Sequence, residues 1–488
     1  AGPLQLLQGE SQIVEEFLRQ KYPAELFDTV GNENCAFMRP TELQPDMVDI
    51  NTMWWFRHIM DTYGYKEKPL DICYEWMART TPPGNLTLMR QAEYYVRDCL
   101  IALTWRPRFI NPAIVCDVGN SYYYSNWGGG GFTQKTPELN PKPSYVAFAT
   151  MTWALDNTTF VALKPTGSLS VFVLEFAAGR GGYVYALWTL RGEREVELDL
   201  GRAGAQVTQV DWQARERTLT AGPQGAVALT LGEMPCYVRS AEAVKAVALG
   251  ESHGRPAPAG RTFVVNKMDD LGAWQVEEGR NLELETYNFE VVRREGKFEV
   301  KQAPAAQGHG PAIQITPTYP LPGTPHQPMY KVLALKTPVA IPDQPKEIGV
   351  WVHGNSGWVR VIFELEDAAG QRWVSIGCST SGSPTRWMAD WLPPSEVEKT
   401  KDLKVADWNT NDSEGLSSIN FDGWQFIRFP LPGQYPGPEQ YHWPRNCFWK
   451  HDRDGVVHYP LTFKKLIVEL REKVVYATEF VPVPRPEI

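Results

Sequence analysis

The hydrophobic period of this chain changes along its length. Over residues 1–160, apolar runs of strand length alternate with stretches spaced for helices. "ELFDTVG" (25–31) reads as a short strand, "DMVDINTMWWFRHIMDTYG" (46–64) as a helix and "PLDICYE" (69–75) as a strand again. "NLTLMRQAEYYVRDCLIALTW" (85–105) reads as a helix, "FINPAIVCDVGN" (109–120) contains a strand, and "KPSYVAFATMTWALDN" (142–157) is a closing helix. Strands that alternate with helices of this length build a parallel sheet from βαβ units, and the pattern supplies three such strands.

From about 168 to 240 the period falls to two, in "SLSVFVLEFA", "GYVYALWTLRG", "REVELDLG", "QVTQVDWQ", "AVALTLGE" and "PCYVRS". Short strands joined by Gly and Arg-Gly turns predict a small antiparallel β-sandwich over 161–246. "VALGESHGRPAPAGR" (247–261), rich in Gly, Pro and Ala, reads as a linker. Residues 262–488 form a second all-β unit, with strands in "KEIGVWVHG" (346–354), "WVRVIFELEDAAGQRWVSIG" (358–377), "GWQFIRFPLP" (423–432) and "FKKLIVELREKVVYATEF" (463–480). Val359, Val361, Phe363 and Leu365 share one face of a strand expected to be half-buried, and "DAAG" is the turn out of it. The predicted fold class is therefore a multidomain α/β plus all-β chain.

Composition narrows the function. A chain of 488 residues exceeds one core, and its 43% hydrophobic and 22% charged residues are ordinary for a globular protein. No stretch approaches the roughly 18 to 20 apolar residues of a membrane helix. The net charge of −9 with no basic block argues against a nucleic-acid partner. Cys35, Cys73, Cys99, Cys116, Cys236, Cys378 and Cys447 form no CxxC pair, against a zinc knuckle or a disulfide framework. The 18 Trp, 20 Tyr and 20 Phe suit large cores, and also suit surfaces that stack flat rings on sugars. The chain opens "AGPLQLL", without Met or the apolar core of a signal peptide, and is expected to be processed, cut or incomplete.

The apolar run "PLDICYE" stops on a carboxylate, Glu75, followed by Trp76. In parallel α/β barrels the reacting groups sit at the carboxyl ends of strands, beneath the loops that line the mouth. "YGYKEKPLDICYEWMA" resembles the seventh-strand region of retaining glycoside hydrolases of the (β/α)8-barrel clan A, where "kyG…kPlwiTE" delivers the nucleophilic glutamate. "RQAEYYVRDCLIAL" resembles the helix after that strand, "VCDVGNSYYYSNWGGGGF" an eighth strand with its sugar-facing loop, and "KPSYVAFATMTWALD" the last barrel helix. The sandwich ending "LTLGEMPCYVRS" is similar to the small domain commonly attached to such barrels. The resemblance spans roughly the first 240 residues and implies a partial (β/α) barrel over 1–160, with Glu75 as nucleophile. The alternative is that Glu75 caps a helix or pairs with Arg79.

The chain also departs from the clan. The acid/base of these enzymes follows an asparagine at the end of strand four, and strands one to five would precede Ala1. Asn32-Glu33 in "GNENCAF" is the candidate substitute, one βα unit before Glu75, although many clan members carry His-x-Tyr there. Glu33 either serves as acid/base or only lines the cleft and binds a hydroxyl. Sugar-facing candidates are Asn32, Trp76, Asp117, Asn120, Tyr122, Tyr123, Tyr124, Asn126 and Trp127, because pyranose C–H faces stack on aromatics and hydroxyls need polar partners. The same loop could simply cover the barrel end. Its Gly run lacks a following Lys-Ser/Thr and is no phosphate loop.

The C-terminal unit resembles a jelly-roll carbohydrate-binding module. Trp351, Trp358, Trp373, Trp391, Trp408 and Trp424 could form its platform, but Trp351 and Trp424 lie in alternating strands and are expected in the core. No cofactor is expected; the acidic turn "DWNTNDSEG" could hold a structural Ca²⁺. Three functions follow: a retaining glycoside hydrolase or its C-terminal portion, a non-catalytic carbohydrate-binding protein, or a structural β-module surface protein. The first two take an oligo- or polysaccharide partner and imply a secreted or cell-surface location. Three parallel strands leave open edges. A homo-oligomer, a separate N-terminal barrel polypeptide, or the sandwich packed hard on the sheet would each relieve them.

Overall fold

A computed structural model of the chain describes residues 6–8, 11–34, 48–74, 80, 87–112, 115–117, 129–134, 139–255, 260–278, 294–295, 298–305, 308–317, 329–357, 359–375, 418–432, 449–451, 453 and 456–470. The N-terminal unit is a parallel sheet in the order β1 (Leu6–Gln8), β2 (Thr29–Asn34), β3 (Leu70–Tyr74), β4 (Pro107–Pro112). Helices α1 (Ser11–Arg19), α2 (Val48–Tyr63) and α3 (Leu88–Leu103) connect successive strands, and α4 (Pro143–Ala154) follows. Among the described residues the sheet thus has four strands where the apolar pattern supplies three. The additional strand, "LLQ", is too short to show a period, and its pairing of Leu6 with Thr29 and Leu7 with Val30 defines it.

Residues 25–31 are also shifted from expectation. Ala24–Leu26 is a single 3-10 turn behind Pro23, and the strand starts at Thr29. It runs into the polar "NEN", which reads as loop by composition but is held in the ladder by Ile72, Cys73 and Tyr74 opposite. Helix α3 begins where Thr87 Oγ1 accepts the Arg90 N–H at 3.1 Å, and α4 begins on Pro143, whose missing N–H costs nothing at that position.

The second unit has a six-stranded sheet, order β10-β9-β12-β7-β6-β5, facing a three-stranded sheet, order β11-β8-β13. Its strands are β5 (Thr158–Leu163), β6 (Val171–Ala178), β7 (Tyr183–Thr189), β8 (Glu193–Asp199), β9 (Gln206–Val210), β10 (Glu216–Thr220), β11 (Ala226–Leu231), β12 (Cys236–Ser240) and β13 (Ala246–His253). Residues 247–253 are therefore not linker: Val247 pairs with Leu198 and Leu249 with Val196, so β13 is an edge strand of the smaller sheet. The Gly/Pro signal begins only at Gly254, after the alternating "AVALGESH" has ended.

Strand β7 is buried along nearly its whole length because the larger sheet is a middle layer. Tyr185 and Leu187 face the three-stranded sheet with Val171, Val173, Val196 and Leu198. Val184, Ala186 and Trp188, on the opposite face, share one core with Tyr94, Tyr95, Leu100 and Trp105 around α3. The sandwich is thus fused to the helical layer through a continuous apolar core. At its rim, Glu233 receives Arg255 through two bonds of 2.7 Å, the Gly192 N–H at 2.9 Å and the Arg90 guanidinium. Arg90 also meets Glu93 at 2.6 Å, so the first turn of α3 is bolted to the sandwich.

The third unit contains β14 (Trp274–Glu278), β15 (Arg294–Glu295), β16 (Phe298–Ala303), β17 (Ala312–Pro317), β18 (Met329–Ala340), β19 (Glu347–Asn355), β20 (Arg360–Glu366), β21 (Arg372–Val374), β22 (Asp422–Pro430), β23 (Lys450–His451) and β24 (Thr462–Leu470). A large sheet runs β14-β18-β24-β20-β21-β23, with β15 beside β18, and β16–β17 and β19–β22 form separate pairs. Strand β20 is buried on both faces, where the alternation predicts a half-buried strand. Val361, Phe363 and Leu365 enter the main core, while Ile362 packs with Val332, Val374 and Ile467 on the other side. Asp422 ties this unit to the sandwich: its carboxylate accepts from Ser168 at 2.5 Å and from Ser356 at 2.7 Å.

Candidate functional site

The candidate centre is the carboxyl end of the parallel sheet, where β2 and β3 run side by side in the same direction. Asn32 is in register with Ile72 and Glu33 with Cys73. Glu75 follows Tyr74, the last residue of β3. The side chains of Asn32 and Glu33 lie outside the described residues, as do Glu75, Trp76, Asn120, Tyr122, Tyr123, Tyr124, Asn126 and Trp127. The acidic turn at 407–415 and Trp358, Trp391 and Trp408 also lie outside them. Among the described residues no group of three or more His, Cys, Asp or Glu could hold a metal.

What the structure does show is how the Gly-rich loop is anchored. Asp117, expected among the sugar-facing groups, is buried, with Oδ1 accepting from Lys142 Nζ at 2.5 Å and from the Gly131 N–H at 2.9 Å. Lys142 Nζ also donates to the Gly129 carbonyl at 2.8 Å. From α3, Gln91 Nε2 donates to the same carbonyl at 2.7 Å, and Tyr95 Oη donates to the Gly130 carbonyl at 2.5 Å. Two charges and two helix-borne donors therefore fix three consecutive glycines. Burial lowers the Lys142 pKa from its ordinary value, and the adjacent Asp117 carboxylate works against that shift. Burial, with Asp117 nearby, raises Tyr95 well above its ordinary value, so its hydroxyl remains a donor.

Gln91, Tyr95 and Lys142 were not among the candidates read from sequence. A signal for the first two exists: Gln91 and Tyr95 are spaced i, i+4 on one face of α3, where buried polar groups need partners. Lys142 gives none, because a lysine before a helix-starting Pro is ordinarily a solvated residue. The stem yields a direct prediction. A Cβ on Gly131 would lie 2.3 Å from the Asp117 nitrogen and 2.4 Å from the Cys116 carbonyl carbon, both backbone atoms that cannot swing away. Gly131→Ala should therefore lower stability by about 1–3 kcal/mol in urea unfolding. An unchanged midpoint would mean that the stem does not hold this close approach.

No family model matches the chain, and no curated protein matches it. Solved structures that overlap parts of it include glycoside hydrolases. One is a family 39 glycoside hydrolase from the gut symbiont Bacteroides cellulosilyticus WH2, at 19% identity over 46% of this chain and 46% of that one, with a TM-score of 0.37. A glucosidase from Croceicoccus marinus overlaps at 12% identity over 49% of this chain and 59% of that one, TM-score 0.31. The catalytic domain of GH30 xylanase C from Talaromyces cellulolyticus overlaps at 12% identity over 47% and 66%, TM-score 0.26. The chain thus spans 46% to 66% of the length of these three structures. Overlap at this level carries no functional weight.

Proposed function

We propose that the chain is a carbohydrate-active protein: a retaining glycoside hydrolase, or the C-terminal portion of one, acting on a plant or microbial polysaccharide outside the cell. The observation that supports it best is the β2–β3 register, in which Glu33 stands opposite Cys73, two residues before Glu75, on adjacent strands that point to the same end of the sheet. Neighbouring strands lie about 4.8 Å apart, so two carboxylates near the ends of such a pair are spaced on the scale a retaining mechanism needs, roughly 5–5.5 Å between carboxyl groups.

In that mechanism Glu75 attacks the anomeric carbon and forms a glycosyl ester. Glu33 gives its proton to the departing oxygen, then takes one from the water that cleaves the ester. The anchored stem at Gly129–Gly131 would present the aromatic loop before it, with Trp76, Tyr122, Tyr123 and Trp127 stacking on sugar faces and Asn32, Asn120 and Asn126 binding hydroxyls. Hydrolysis of a panel of aryl glycosides by the purified chain tests the reading, and a panel that stays intact overturns it. A second reading, a non-catalytic carbohydrate-binding protein, is favoured by a separate observation: a partly exposed run of aromatic rings on the C-terminal unit.

A further inference from the structure

Strands β19 and β22 pair antiparallel, placing Trp351 opposite Phe426 and His353 opposite Trp424. Their inward residues, such as Ile427 and Phe429, are fully buried in the core of the unit. Trp351 is 53% exposed, and Trp424 and Phe426 are half-buried, so the expectation that Trp351 and Trp424 belong to the core is corrected. Trp373 alone of the described platform candidates is a core residue, with no exposed surface. Alternation assigns each residue to a face. It does not say which face the rest of the domain covers.

The rings on the outer face touch in an unbroken run. Phe426 meets Trp351 at 5.5 Å between centroids, Trp351 meets His309 at 5.3 Å, His309 stacks on Trp424 at 4.1 Å and 18°, and Trp424 meets His353 edge-on at 5.4 Å. His309 arrives from the segment between β16 and β17, so the run joins two parts of the fold. Gly349 allows the Phe426 ring to lie across its strand: a Cβ there would be 2.5 Å from Phe426 Cζ. Three flat aryl rings, Phe426, Trp351 and Trp424, are thus interleaved with two imidazoles, whose ring nitrogens can hydrogen-bond to hydroxyls. No carboxylate or ammonium belongs to the run. The next cross-strand position is occupied by Arg428, which is 3.6 Å from Glu347 and so is matched by an opposite charge.

We propose that this face binds a neutral polysaccharide of pyranose units, at a site separate from the sheet-end carboxylates. A pyranose ring offers an apolar C–H face ringed by hydroxyls. The aryl rings match the first and the imidazoles the second. The run contains no Arg or Lys, the side chains an anionic polymer would call for. The inference deepens the carbohydrate reading without resting on hydrolysis, since none of its residues is near β2 or β3 in sequence or sheet.

The test is affinity electrophoresis of the full chain through gels containing soluble glucan, xylan or mannan, with wild type, Trp351→Ala, His309→Ala and Glu75→Gln run together. At least one polysaccharide should retard the wild type and Glu75→Gln equally. Trp351→Ala should weaken that retardation about tenfold or more, as the loss of a central aromatic contact does. Trp351 is half exposed, so the variant keeps its fold, and an unchanged urea midpoint verifies this. His309→Ala, which removes no strand residue, should weaken binding in the same direction. Retardation by none of the three polymers overturns the site. So does wild-type retardation of Trp351→Ala, or a dimer in light scattering that Trp351→Ala dissolves, which would make the face a contact between copies. Aryl-glycoside hydrolysis without retardation would defeat this inference and leave the hydrolase reading standing. Retardation without hydrolysis would do the reverse.

Discussion

Glu75→Gln should abolish glycoside turnover, by about a thousandfold or more, while the protein remains folded. A neutral amide cannot form the glycosyl ester, and its near-identical shape leaves binding in place. Retardation in polysaccharide gels should therefore survive the change that removes catalysis. Glu33→Gln separates the second role. A general acid contributes roughly 10²–10⁴-fold, and its loss weighs most on substrates whose leaving groups need a proton. The Glu33 variant should then keep more of its rate on aryl glycosides with acidic phenols than on those with poor leaving groups. Wild-type rates in Glu75→Gln would remove that residue from the mechanism, and equal losses across leaving groups in Glu33→Gln would leave Glu33 only lining the cleft.

The sequence exposed the fold wherever a period was long enough to count. Helices α2, α3 and α4 fall within the stretches their apolar spacing marks, and β3 lies within "PLDICYE". What escaped was decided by partners distant in the chain. Strand β1 is three residues long and exists through its pairing with β2. Polar Asn32 and Glu33 continue a strand because β3 supplies the ladder, and β13 continues the sandwich past a boundary drawn on composition. Strands β7 and β20 are buried on both faces because each lies between two layers, a fact of the tertiary arrangement rather than of local pattern. At the candidate site the limit was similar: Asp117 stands out for its place in the loop motif, but its partner Lys142 lies 25 residues away and gives no signal in the sequence.

The anchor leads back to Glu233, whose replacement should have the largest effect on stability. Burial alone would raise its pKa, but Arg255, Arg90 and the Gly192 N–H outweigh burial and hold the carboxyl well below the usual carboxylate range. Glu233→Gln would take from Arg255 the carboxylate it meets through two bonds and leave Arg90 with Glu93, a change at a buried rim that costs about 3–5 kcal/mol. The sign of the pH dependence follows from the lowered value. Glu233 contributes its full stability above the unfolded carboxylate value of about 4.3, and that contribution is lost as pH falls toward the depressed folded value. The gap between wild type and Glu233→Gln in urea unfolding should therefore narrow as pH drops below about 4. Glu93 acts in the opposite sense: burial raises its pKa against the pull of Arg90, so its contribution is present below the unfolded value and lost as pH rises through the folded one. A gap that stays constant down to pH 2 would show that shape, not charge, holds the rim. Because Arg90 opens the helix that carries Gln91 and Tyr95, the same substitution should loosen the Gly129–Gly131 stem and lower turnover more than it lowers polysaccharide binding on β19–β22.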